Sequence, residues 1–121
     1  MEFIVIGEPQ VLKRHRFGRG RMYNPSAKEQ KRFADQCDLP DQPLEEDLSI
    51  EMEFRFVRPK SHSKMKRKPA HPMRKDLDNL IKFVLDALNK KLFADDRQVV
   101  SITARKVYAD EAATVVRVEE I

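Results

Sequence analysis

Two acidic stretches flank the longest run of helix-spaced apolar residues in this 121-residue chain: Asp76-Leu77-Asp78 before it and Asp95-Asp96 after it. Where an extended chain enters a helix, residues two apart project to the same side. Asp76 and Asp78 would then face one point while Leu77 turns to the core. Asp95-Asp96 falls in the turn before the next strand pattern, at a distance from Asp76 that sequence does not fix. Aspartates held close raise one another's pKa, and a divalent cation relieves that repulsion. Magnesium takes hard oxygen ligands: carboxylates, waters and a substrate phosphate. It can also supply a hydroxide and steady the charge on a phosphodiester under attack. Lys82, one helical turn after Asp78, would place an ammonium by the scissile phosphate or its leaving oxygen. Each residue has a plainer reading. Asp78 can be only an N-cap and Asp95-Asp96 only a turn. Lys82 can form an i,i+4 ion pair with Asp78 worth roughly a few tenths of a kcal/mol. Asp86 reads as a partner of Lys82 or Lys90.

The elements that must position these residues follow from periodicity. Glu2 to Gly7 alternates apolar side chains on both sides, which predicts a strand buried on both faces. Gln10 to Pro25 has no clear period and reads as a loop. Ser26-Ala27-Lys28-Glu29 fits a capping box, opening a helix to about Cys37 with Phe33, Ala34 and Cys37 as its apolar stripe. Leu48 to Val57 alternates strictly, with Ile50, Met52, Phe54 and Phe56 on one face, predicting a strand with one buried side. Leu77, Leu80, Ile81, Val84, Leu85 and Leu88 recur at helical spacing and predict a helix over 78–90. Val99–Tyr108 and Thr114–Ile121 read as two further strands. The order β-α-β-α-β-β implies a single α+β domain over 1–121, a mixed sheet with two helices packed on it.

Net charge is only +4, so the distribution carries the information. Lys13, Arg14, Arg16, Arg19 and Arg21 cluster in the loop 8–25. Lys66, Arg67, Lys68, Arg74 and Lys75 lie in a second basic loop, 58–75. Two basic runs beside a carboxylate cluster point to a polyanion such as DNA; either run alone reads as a solvated loop. Tyr23 could stack on a base or serve as a core or hinge tyrosine. Gly18-Arg19-Gly20 reads as a flexible basic tip. His15, His62 and His71 show no zinc-site spacing. The single cysteine, Cys37, excludes an internal disulfide and reads as a small apolar residue. No apolar 18-mer or signal peptide is evident, so no membrane partner and a cytoplasmic location are expected.

Arg74-Lys75-Asp76-Leu77-Asp78-Asn79-Leu80-Ile81-Lys82, then Asp86-Ala87-Leu88-Asn89, then Asp95-Asp96-Arg97-Gln98-Val99-Val100, resembles the signature of the RusA family of Holliday junction resolvases. Tyr23-Asn24-Pro25 leading into a helix, and His71-Pro72 before the motif, extend the likeness across the chain. The resemblance implies a homodimer that binds four-way branched DNA and makes paired symmetric nicks in opposed strands, with Mg2+ or, as a substitute, Mn2+. It places metal ligands on Asp76, Asp78 and Asp96, a catalytic lysine on Lys82, and a supporting acid on Asp95. Lys75 departs from the proline frequent in relatives, and the connection 90–94 is a residue shorter than the family form, which touches the placement of Asp96. A non-catalytic, structure-selective nucleic-acid-binding module and a nuclease for flaps or forks are the competing expectations.

Overall fold

The structure, a computed structural model, describes residues 1–13, 16–18 and 20–121, with Arg16 described by its backbone alone. Strand β4 (Leu48–Val57) is the axis of the fold. It pairs antiparallel with β6 (Ala113–Glu120) and parallel with β5 (Val99–Ala109). Strand β1 (Glu2–Ile6) adds antiparallel to β6, giving the sheet order β1-β6-β4-β5. A parallel pair requires a crossover, usually a helix, and α2 (Leu77–Leu88) supplies it between β4 and β5. The mixed α+β sheet with two helices is therefore present as expected.

Both helices bury their apolar stripes on one side of this sheet. Leu80, Phe83, Val84, Ala87 and Leu88 of α2 join Phe33 of α1 (Ala27–Asp35) over Phe3, Val5, Ile50, Met52, Phe54 and Val116. Phe33 and Phe83 meet edge to face, with ring centroids 5.9 Å apart at 89°. Burying each such ring contributes roughly 1.5–3 kcal/mol, which fixes α2 on the sheet.

Among the described residues, no helix packs on the second face of the sheet. That corrects the reading of β1 as buried on both sides: Phe3 and Val5 are buried, but Ile4 and Ile6 are 50% and 63% exposed. Their cross-strand partners on this face are Val115 and Ala113. Further along it, Glu53 accepts from Arg55 at 2.6 Å and from Arg105 at 2.7 Å, while Arg117 bridges Glu2 and Glu51. The polar positions of β4 thus form cross-strand ion pairs.

Three local expectations are corrected. The stretch 10–25 is not uniform loop, because β2 (Arg16–Gly18) and β3 (Arg21–Tyr23) pair antiparallel. Each has only three residues, too few to show alternation. Ser26 does not form the expected capping box. It is 1% exposed, and its Oγ accepts from the Lys13 amide at 2.9 Å. Asn24 takes over locally, accepting the Ser26 amide at 2.9 Å. Helix α2 stops at Leu88, two residues early: Asn89 turns extended at ψ 133° and Lys90 follows at φ 66°, and Leu92 and Phe93 beyond them are buried in the core. Among the described residues no helix is long and apolar enough to cross a membrane.

Candidate active site

Asp76 is the residue before the first turn of α2, with extended φ −74° and ψ 132°. An aspartate there ordinarily caps the helix amides, yet its carboxylate makes no capping hydrogen bond. Both Asp76 and Asp78 are exposed, while Leu77 between them packs against the core. Exposure therefore alternates across the three residues. Lys82 Nζ lies 4.0 Å from Asp78 Oδ2, on the same exposed side of α2. Two uncapped carboxylates open to solvent beside an ammonium suit a hard divalent cation that keeps most of its waters.

The backbone that delivers Asp76 is pinned from two sides. Lys75 adopts φ 64°, a left-handed conformation that costs a non-glycine residue roughly 1–2 kcal/mol. Its carbonyl accepts from Lys106 Nζ of β5 at 3.0 Å. Its own Nζ donates to the Pro9 carbonyl at 2.6 Å and lies 3.8 Å from Glu8. Arg74 donates to the same Glu8 at 2.6 Å. Burial holds the Lys75 ammonium below the ordinary lysine range, opposed by the Glu8 charge. The expectation that Lys75 offers its charge to DNA is therefore corrected: the side chain is turned inward and its hydrogen bond goes to backbone. Arg74 is exposed but already paired. A proline could not occupy position 75 here, since its ring fixes φ near −65°.

Asp95 and Asp96 sit at the other end of α2. Asp95 caps a 3-10 turn (Asp96–Gln98), its Oδ1 accepting the Arg97 amide at 2.9 Å. The Gln98 side chain returns the bond to the Asp95 amide at 2.8 Å. This is the reciprocal box that Ser26 failed to make. The Arg97 guanidinium and amide hold the Asp95 carboxyl down to about 2. Asp95 is thus engaged as a turn-former, in line with its plainer reading, whereas Asp96 is exposed.

A single chain does not bring Asp96 to Asp76 and Asp78. The 12 residues of α2, roughly 18 Å of helix at about 1.5 Å per residue, lie between the two stretches. Among the described residues no three His, Cys, Asp or Glu side chains come together as a metal site. The helix that buries the core is also what holds the two acidic stretches apart.

The remaining site expectations divide. Lys66, Arg67, Lys68 and Arg21 are exposed. Lys13 lies 3.7 Å from Glu29. Arg14, Arg19 and His15 lie outside the described residues, as does the Arg16 side chain. The second basic loop is racked on β5: Arg58 stacks 4.2 Å over the Tyr108 ring and donates to the Pro69 carbonyl at 2.8 Å. Burial pushes the Cys37 thiol up to about 11, so it stays protonated near neutrality and is no nucleophile.

A family model described as Endodeoxyribonuclease RusA matches residues 7–119. The chain belongs to the RusA endodeoxyribonuclease family. That assignment makes it a nuclease fold acting on DNA, consistent with the exposed carboxylates and basic loops. The RusA-family chain is also similar to the uncharacterized protein YqaN of Bacillus subtilis (strain 168), 29% identical over 137 residues that span all of this chain and 96% of the relative.

Proposed function

We propose that this RusA-family protein is a magnesium-dependent endonuclease that resolves four-way DNA junctions by paired nicks, and that it works as a homodimer. The exposed Asp76–Asp78 pair beside Lys82 carries the catalytic part of the reading. When bound there, a magnesium ion would be held by these carboxylates and would supply Lewis acidity and an activated water to the phosphodiester. The chain's own contribution is to hold the carboxylates apart from their usual capping bonds. Lys82 would steady the negative charge that develops on the phosphate or its leaving oxygen. Lys66, Arg67, Lys68 and Arg21 would neutralise DNA phosphates, which makes binding salt-dependent.

Asp96 is included through the second copy. Strand β5 is an edge strand of 11 residues with Val100 and Ile102 exposed, the kind of edge that pairs with another chain. Asp76 lies at the Lys106 level of this strand, through the bond from Lys106 to the Lys75 carbonyl. Asp96 lies just before its first residue, Val99. Lys106 and Val99 are roughly 23 Å apart at about 3.3 Å per residue. Two copies paired along β5 about a two-fold axis run antiparallel. That sets the Asp96 end of one copy beside the Asp76 end of the other. Two such composite sites would suit two cuts of like polarity.

The test is complementation. Asp76→Asn and Asp96→Asn should each fail to nick a synthetic four-way junction while binding it normally. Mixed after co-refolding, the two variants form heterodimers in which one site has both aspartates, so nicking should return on one strand per complex. Full activity of Asp76→Asn alone would remove the catalytic assignment. Inactivity of the mixture, with heterodimers verified, would remove the shared site. Parallel assays on three-way and flap DNA separate junction resolution from a flap or fork nuclease, and an absence of nicking at any magnesium concentration would leave a binding module.

A further inference from the structure

The β2–β3 hairpin presents an apolar pair that the core does not use. Phe17 and Met22 are direct cross-strand partners, so their side chains share one face of the ribbon. They are 70% and 62% exposed. Tyr23, the aromatic residue that the sequence singled out for stacking, lies on the opposite face. Its backbone pairs with that of Arg16, and its ring approaches Gly18 so closely that a Cβ at that position would sit 3.1 Å from it. Tyr23 thus backs the ribbon, and Phe17 and Met22 form its bare front.

Single exposed apolar residues are ordinary on a protein surface. This pair differs in its setting. From Lys13 to Arg21 the sequence has five basic side chains and no acid, so the stretch of chain that carries the pair is basic, and Arg21 beside Met22 is exposed. A second protein chain of similar charge would be repelled, and a hydrophobic partner alone would leave that charge unmatched. A nucleic acid satisfies both at once, offering phosphates to the cations and the faces of bases to the ring and the thioether. Inside a closed duplex the bases are stacked on each other and offer no free face. At a branch point stacking is interrupted, and an apolar wedge can enter at lower cost.

We infer that the Phe17–Met22 pair is a wedge that stacks on unpaired or unstacked bases at the centre of branched DNA, and that it sets the preference for branched over duplex DNA. This rests on the branched-DNA reading above but not on its chemistry. The nicking site uses Asp76, Asp78, Asp96 and Lys82, none of which is on the hairpin.

The experiment uses the full chain in metal-free buffer with EDTA, a four-way junction carrying 2-aminopurine beside the branch, and a duplex of equal length. Wild-type protein should raise the 2-aminopurine emission. Phe17→Ala and Met22→Ala should reduce that rise and weaken junction binding about tenfold in the double variant, with duplex affinity changed less than about twofold. Phe17→Trp, which keeps a stacking ring, should restore junction binding. Both side chains are exposed, so thermal stability should stay at the wild-type value. Equal losses on junction and duplex, or no loss on either, would overturn the wedge. So would a shift of the double variant from dimer to monomer in sedimentation, which would place a second copy on this face. Nicking is scored separately with magnesium. Wild-type protein that unstacks the branch but never nicks leaves the wedge standing and removes the nuclease reading. Normal nicking with wild-type junction binding in Phe17→Ala removes the wedge alone.

Discussion

Lys106→Met tests whether the strained entry to α2 is what holds the Asp76 carboxylate in place. The substitution keeps the aliphatic stem of a half-buried lysine and deletes one charge-assisted hydrogen bond, 3.0 Å long, to the Lys75 carbonyl. Bonds of this kind contribute about 1.5–3 kcal/mol. Part of that loss is recovered if residue 75 then leaves its φ of 64°, since the left-handed conformation costs about 1–2 kcal/mol. The net destabilisation is therefore about 1 kcal/mol, a Tm lowered by about 3–6 °C for a domain of this size. The local effect is sharper than the global one. The Leu80 amide, which donates to the Asp76 carbonyl at 3.1 Å, should exchange with solvent about fivefold faster. Amides of β4 at the sheet centre should show only the global change. Nicking at saturating junction should fall by about tenfold to a hundredfold, because small misplacements of reacting groups are costly. Lys106→Arg, which keeps a donor, should recover part of the rate. Wild-type exchange at Leu80 together with a wild-type nicking rate would refute the reasoning. Protection lost uniformly across the core would refute it too, since Lys106 would then be only a stability residue.

Two further outcomes are expected. Lys82→Ala should lower the single-turnover nicking rate by about a hundredfold while junction affinity changes less than about twofold; an unchanged rate would return Lys82 to a plain surface ion pair with Asp78. Glu53, whose carboxyl is held below the ordinary glutamate range chiefly by the Arg55 hydrogen bond and further by Arg105, against the opposing effect of burial, should contribute stability at neutral pH that disappears in acid. Its folded pKa lies below its unfolded value, so the contribution is complete above the usual 4.5 and is lost as pH falls through the lowered value. Urea unfolding of Glu53→Gln should show a deficit of about 1–3 kcal/mol at pH 7 that closes as the pH drops, and a deficit independent of pH would contradict the assignment.

Much of this was legible in the residues. Strict alternation in β4 and helical spacing in α2 are signals of one element each, and both elements formed where their periods placed them. The sheet order could not be read the same way, because it depends on which edges are left open. Ile4 and Ile6 look as apolar as Phe3 and Val5, and only the side of the sheet on which the described helices pack separates them. Ser26 satisfies the local pattern of a capping box, but a long-range bond from the Lys13 amide takes its hydroxyl. Lys75 reads as one more cation in a basic run, yet contacts with Pro9, 66 residues away in the chain, and with its neighbour Glu8 turn it inward. Glu8 and Lys106 were missed for that reason: their partners are remote in sequence and neither lies in a motif. The two aspartate stretches are near neighbours along the chain, yet among the described residues they do not meet as a metal site, and the helix α2 lies between them.

Gln98 gives the signature around Asp95-Asp96 a mechanical meaning. Its amide oxygen takes the Asp95 amide at 2.8 Å, and its amide nitrogen reaches the carbonyls of Leu44 at 2.8 Å and Glu46 at 2.9 Å. One side chain therefore rivets the turn to the connection that leads into β4. The interval from aspartate to glutamine acts as a ruler: lengthening it by a residue would leave the rivet in place and carry Asp96 off its mark. Glutamate in its place would turn an anion toward two carbonyl oxygens, so a change of a single atom type would be enough to spring the turn loose.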